Sequence, residues 1–399
     1  MRTSRALNFV ILLGVVSLFA DMTYEGARSA IGPFLGMLGA SAFAVSVVSG
    51  GGELVGYALR LWSGRLADRT RHYWAITFAG YALNLMAVPL LAVAGNWQMA
   101  AALVILERTG KALRTPARDA MLSYATKSTG RGWGFGLHEA LDQIGATVGP
   151  LVLTVVVAQS ADYRRGFLAL LLPAVAALVT LAIAWRLYPD PRELEIEDVD
   201  LTTSAGFPKA YWVYLSGSAL MAAGYADYPL LAYHFSQAET VSLAWIPALY
   251  AVAMGVDAIA ALVFGRWFDR FGLGVLLVAT VLSAGFAPLG FGIRGEFAVL
   301  GTILWGIGMG AQESIMRAAI ANMTSPSRRA TAYGMFNLAY GVAWFAGSAF
   351  MGWIYGRSIG GLIAFSVIAQ LLAIPCFVWA KRLSRAVAVP TQTDSHERG

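Results

Sequence analysis

Long apolar runs alternate with short polar punctuation along almost the whole chain. A helix needs about 20 mostly apolar residues to cross the hydrocarbon core of a bilayer. On length and punctuation, the pattern predicts twelve such segments, at 7–36, 43–63, 73–94, 97–122, 133–158, 164–187, 210–235, 242–264, 273–293, 296–322, 330–355 and 359–381. Gly and Pro recur inside them, as membrane helices tolerate. The expected fold class is an all-α membrane protein.

The pattern also repeats. Gly64-Arg65-Leu66-Ala67-Asp68-Arg69 ends the second run, and Gly265-Arg266-Trp267-Phe268-Asp269-Arg270 ends the eighth. Arg131 to Gly136 has an echo in Arg329 to Gly334, and Pro33 has one in Pro229. Repeats spaced at half the chain predict two pseudo-symmetric six-helix bundles with a shared site at their interface, the plan of a secondary transporter. The longest polar connection, with its acidic run from Glu193 to Asp200, reads as a solvated linker. The expected organisation is a bundle at 1–187, a linker at 188–208, a bundle at 209–385 and a disordered tail at 386–399.

Composition agrees with the pattern. Of 399 residues, 58% are hydrophobic and 13% charged, against about 25% charged in a soluble globule. Mean hydropathy is +0.62. The net charge of +6 comes from basic residues in short loops, so it reports topology and not nucleic-acid binding. Arg2, Arg5, Arg65, Arg69, Arg71, Lys127, Arg131, Arg186, Arg192, Lys209, Arg266, Arg270, Arg328, Arg329, Lys381, Arg382 and Arg385 fall on one set of loops. The opposite set holds Arg164, Arg165, Arg294 and Arg357. The positive-inside rule puts both termini in the cytoplasm. The first run lacks a cleavage site and reads as a retained span. With one cysteine, Cys376, and four histidines, neither a disulfide nor a metal site is expected.

These residues resemble the major facilitator superfamily. Its signature between spans 2 and 3 is Gly-x-x-x-Asp-Arg-x-Gly-Arg-Arg, matched here by Gly64, Asp68 and Arg69, with Arg71 where the next glycine belongs. The second copy keeps Gly265, Asp269, Arg270 and Gly272. Asp21-Met22-Thr23-Tyr24-Glu25, the stretch from Gly110 to Ala120, and Phe135 to Asp142 look like a poorly characterised bacterial subfamily. Arg28 and Glu139 depart from its pattern. The resemblance implies that spans 1, 4, 7 and 10 line a central cavity, with span 5 beside span 1. It also implies a monomer in the bacterial inner (plasma) membrane.

An ionisable side chain at the bilayer centre costs about 2.5–3.5 kcal/mol on insertion scales, so those in the spans should face water or each other. Asp21, Glu25, Arg28, Glu107, Arg108, Lys111, His138, Glu139, Asp142 and Asp227 are the candidates for substrate binding and proton coupling. Among them Asp21, Glu25, Glu139 and Asp142 are the proton-site candidates, because a proton and a nearby cation can compete for one carboxylate. Nearer the basic loops, Arg114, Arg118 and Asp119 should join Gly64, Arg65, Asp68 and Arg69 in a cytoplasmic gate. Glu313 and Arg317 should do the same with Arg266, Asp269 and Arg270. Tyr24, Tyr225, Tyr228, Tyr233 and Trp305 are deep enough to line an amphiphilic pocket.

No P-loop, nucleophile elbow or zincin motif is present, so neither an ATP-driven pump nor an enzyme is expected, and no cofactor. The expected function is alternating-access transport of a small molecule or ion, coupled to protons. Gly145-x-x-x-Gly149-Pro150 partly matches the superfamily's antiporter motif, which favours export. The alternatives are uptake or exchange of an organic anion, or a receptor or scaffold that keeps the fold without transport.

Overall fold

The computed structural model describes residues 2–129, 131–191, 207–292, 295–324 and 329–387, and the side chains of most of them. Most of the expected linker and tail, and the side chains of Asp68, Asp269 and Arg317, lie outside the described residues.

Fifteen helices are present among the described residues: α1 (Arg2–Met37), α2 (Ala42–Thr70), α3 (Tyr73–Leu90), α4 (Trp97–Thr129), α5 (Arg131–Ser160), α6 (Tyr163–Ala169), α7 (Leu171–Leu187), α8 (Lys209–Gly224), α9 (Tyr228–Gln237), α10 (Trp245–Phe271), α11 (Gly274–Ala284), α12 (Phe286–Gly290), α13 (Gly295–Met323), α14 (Arg329–Tyr355) and α15 (Ile359–Val387). Three spans are broken, so α6–α7, α8–α9 and α11–α12 each cross once, which gives the twelve expected spans. Among the described residues, seven stretches are long and apolar enough to cross a membrane by length and composition alone. The others are broken, or carry charge or polar residues that neighbouring helices cover.

The halves repeat one another in their contacts. A Cβ at Gly64 of α2 would meet the ring of Pro116 on α4, and one at Gly265 of α10 would meet the Ser314 hydroxyl on α13. The residues after these two helices share a left-handed φ, 56° at Arg71 and 60° at Gly272. Arg71 N–H closes on Ala67 O and Gly272 N–H on Phe268 O, both at 2.8 Å.

Packing between the halves is lopsided. At the end away from the basic loops, Gly32 of α1 lies on the Pro229 carbonyl and Gly36 on the Tyr233 ring of α9. Tyr163 OH donates to Leu243 O at 2.9 Å. One apolar core runs through both halves there. Toward the basic end the N-terminal half has its own core, built from residues such as Phe9, Leu85, Met121 and Leu181. Among the described residues α4 and α13 make no extended contact with each other. The halves are joined most closely at the far end, and α2 and α14 also meet across them toward the basic end, where a Cβ at Gly334 would strike Leu61.

Candidate functional site

The break between α8 and α9 sets the geometry of the site. Pro229 sits in the first turn of α9, where its missing N–H costs nothing, and Asp227 occupies the N-cap. The carbonyls freed by the break are recaptured. Gly224 O accepts from Ser366 Oγ at 2.6 Å and from Gln370 Nε2 at 3.2 Å, and Ala226 O accepts from Trp305 Nε1 at 2.9 Å. Non-helical backbone at membrane depth persists only where protein or a cavity satisfies it. Tyr225 and Tyr228 pack on Trp305, and all three are fully buried. They belong to the apolar core that runs through both halves and are not among the residues lining the cavity beside Arg28. Of the deep aromatics, Tyr24 does face the cavity.

Asp227 meets Arg28 of α1 across the halves, with Nη2 to Oδ1 at 3.0 Å. The same nitrogen lies 3.2 Å from Glu53 Oε1 of α2. Arg108 of α4 reaches that oxygen at 3.3 Å and its own neighbour Glu107 at 3.4 Å. Asn84 of α3 donates to Glu107 Oε1 at 2.6 Å. Glu25 stands 3.9 Å from both Arg28 and Lys111, and Tyr250 OH of α10 donates to it at 2.6 Å. Arg28 and Tyr250 thus make two polar ties across the seam. A small cavity borders this network. Arg28, Arg108, Glu107 and Asp227 form its charged wall, and Ile31, Val88, Leu91 and Val104 its apolar one.

The remaining candidates lie within the N-terminal half. Asp21 pairs at 4.0 Å with Arg114, which is 1% exposed and stacks on the Tyr81 ring. Lys111 sits 3.9 Å over the Tyr24 ring. Arg118 pairs with adjacent Asp119 at 2.9 Å. His138 approaches Asp142 at 3.5 Å. Glu139, one residue on, is exposed. Arg114 and Arg118 face α1 and α3, inside their own half. Arg65, Arg69, Arg266 and Arg270 are exposed at the basic end, and Glu313 is half-buried on α13.

Sequence reasoning passed over Glu53, Tyr250 and Asn84. Glu53 had a visible signal: it is an acid inside an apolar run, after Gly50-Gly51-Gly52. Tyr250 and Asn84 carry no such mark, since their partners are set by helix rotation.

The family model described as the Major Facilitator Superfamily matches residues 13–293 and 213–397, which together take in nearly the whole chain. The chain belongs to the major facilitator superfamily. It is a multi-pass membrane transporter, and this is a family of carriers, not of enzymes. An uncharacterised protein of Mycobacterium tuberculosis is 42% identical over 386 residues, covering 95% of this chain and 94% of that protein. An uncharacterised MFS-type transporter of Methanocaldococcus jannaschii is 26% identical over 354 residues, covering 87% and 88%. Among solved structures, the nucleoside transporter NupG superposes with a TM-score of 0.71 at 12% identity, covering 94% of this chain and 99% of that one. A POT family transporter in complex with 5-aminolevulinic acid gives 0.74, at 13% identity, covering 95% and 96%. At such identities the superpositions show the transporter's fold alone.

Proposed function

We propose that this transporter moves a small polar solute by alternating access and couples the movement to protons. The observation that carries the reading is the buried tie between the halves, Arg28 to Asp227 at 3.0 Å with Tyr250 to Glu25 at 2.6 Å beside it. Opening the far end must break both. Breaking one buried ion pair by losing a partner costs about 3–5 kcal/mol, so the far end opens only when a solute or a proton takes over from one of the partners. Asp21, Glu25, Asp142 and Asp227 are the carboxylates that trade a cation for a proton. Glu107, Arg108 and Lys111 hold the solute side of the cavity. Glu139 is exposed and can exchange protons with water.

The basic end is cytoplasmic in this reading, and both termini lie on the cytoplasmic side of a bacterial inner membrane. The two bundles at 1–187 and 209–385 rock about the seam as a monomer. The doubled Gly-Arg-x-x-Asp-Arg loops, with Asp119, Glu313 and Arg317, tie the cytoplasmic side when it closes.

Export by antiport is the favoured direction. Its support is the Gly145-x-x-x-Gly149-Pro150 stretch, whose two glycines bring α5 against the Leu18 and Met22 carbonyls of α1. Organic-anion uptake or exchange is the second reading, favoured by the guanidiniums of Arg28 and Arg108 on the cavity wall. Reconstitution tests the proposal. With a pH gradient across proteoliposomes, one of a panel of small polar solutes should show saturable, gradient-driven flux. Flux that ignores the gradient, with Asp21→Asn and Asp142→Asn both silent, would contradict it.

A further inference from the structure

Away from the seam, a second polar cluster lies inside the N-terminal half. Ser17 of α1 is fully buried, and side chains from three other helices converge on its hydroxyl. Arg118 Nη1 of α4 donates to Ser17 Oγ at 2.9 Å. Tyr81 OH of α3 stands 3.4 Å away, and His138 Nε2 of α5 stands 3.0 Å away. On its other side, His138 Nδ1 lies 3.5 Å from Asp142 Oδ2.

Donor and acceptor counting orders this cluster. A serine hydroxyl has one proton to give and two lone pairs to receive with, and arginine only donates. Arg118 fills one lone pair, and when the Tyr81 hydroxyl donates into the other, the Ser17 proton goes to His138 Nε2. The neutral imidazole then carries its own proton on Nδ1, toward Asp142. Asp142 Oδ1 is buried with no hydrogen-bond partner among the described residues. A buried acceptor without a donor is costly, and a proton relieves that cost. The Asp142 side chain is 17% exposed against 4% for His138, so the cluster opens to water through Asp142.

We propose that Ser17, His138 and Asp142 form a proton-binding site within the N-terminal half, off the solute path between the halves. Its role in transport rests on the proton-coupled reading above. The proton comes from water at the basic end and is held by the Asp142–His138 pair. When it resides on Nε2, that nitrogen turns from acceptor to donor. Imidazolium and guanidinium, both cations and both donors, then meet at one hydroxyl. Arg118 is displaced, and Asp119, already 2.9 Å away, receives it. Loading the site on α5 therefore unties α4 from α1. The other charged groups facing the pair are Asp21 on α1, Arg114 on α4 and Glu139 on α5. From α10, Asp257 comes within electrostatic reach of Glu139.

Infrared difference spectroscopy on the intact transporter in lipid bilayers, titrated with pH, tests the site without a solute. A carboxyl signal and an imidazole signal should titrate together. Asp142→Asn should remove the first and His138→Gln the second. Ser17→Ala should move the shared midpoint by about one pH unit, roughly tenfold in proton affinity, and Ser17→Thr, which keeps the hydroxyl, should restore it. If Ser17→Ala does not fold, the shift of the carboxyl midpoint in His138→Gln carries the same comparison. Midpoints in the foldable variants that superimpose on the parent protein's, or a spectrum unchanged by Asp142→Asn, would overturn the proposal. A titrating site in a protein whose flux ignores pH would sink only the coupling reading. A pH-driven flux with no titration at Asp142 would sink only this one.

Discussion

Arg28 and Asp227, 199 residues apart, meet at 3.0 Å at the break of the seventh span. Asp227 owes its position to that break, because an N-cap residue projects from the end of a helix and not from its side. Arg28 is held in turn by Glu53 at 3.2 Å. One guanidinium thus bridges an acid of its own half and an acid of the other.

Replacing Arg28 by Ala leaves Glu53 and Asp227 without the cation that bridges them. The loss should be about 3–5 kcal/mol, the cost of removing one partner of a buried pair. Arg28→Lys should recover little, since an ammonium is a point charge and cannot bridge with a planar fork. Thermal unfolding of the purified protein, followed by fluorescence-detected size exclusion, measures both.

Tyr250→Phe removes a donor to a carboxylate at 2.6 Å. Hydrogen bonds to charged groups contribute about 1.5–3 kcal/mol. The variant should fold normally, because the ring still packs on Tyr228, yet hold its far end less firmly shut. Faster alkylation of a cysteine placed at Ser49, in a Cys376→Ser background, would report this.

Gly32 and Gly347 separate closure from folding. A Cβ at Gly32 would strike the Pro229 carbonyl across the halves, whereas one at Gly347 would strike the Ala223 carbonyl within the C-terminal half. Gly32→Ala should yield a stable protein biased toward an open far end. Gly347→Ala should lower stability by about 1–3 kcal/mol through overpacking. Equal thermal stability of the two variants would count against this assignment.

Arg71 holds a left-handed backbone at φ 56°, where a side chain costs about 1–2 kcal/mol relative to glycine. Arg71→Gly lies outside the spans and should raise stability by up to about 1 kcal/mol, less the flexibility glycine adds to the unfolded chain. Thermal unfolding tests this too.

Much of the fold was legible in the sequence. Apolar runs marked the spans, and the doubled motif marked the two halves, whose glycines make matching contacts at Pro116 and Ser314. The charged face of the first span was legible as well, since Asp21, Glu25 and Arg28 share one side by spacing alone. Partners were not. Arg114 and Arg118 looked suited to meet the basic loops, but the rotation of α4 turns them toward Asp21, Tyr81 and Ser17. Helical spacing gives the side on which a residue lies, and only packing decides what that side faces. The break at Tyr225–Asp227 was hidden for a related reason. No residue before Pro229 forbids helix there, and it is the capture of Gly224 O and Ala226 O by Ser366, Gln370 and Trp305 that makes the break affordable.

The central claim is that the Arg28–Asp227 tie holds the far end closed and that the end opens when the tie is lost. Met37 and Gln237 flank the Gly36–Tyr233 contact on opposite halves, and both are exposed. Spin labels on cysteines at these positions, in a Cys376→Ser background, give the gap directly by pulsed electron spin resonance. The parent protein should show a single short distance. Asp227→Asn should add a longer population, and acidification should do the same in the parent. A distance distribution that stays short and unchanged in Asp227→Asn and at every pH would contradict the account.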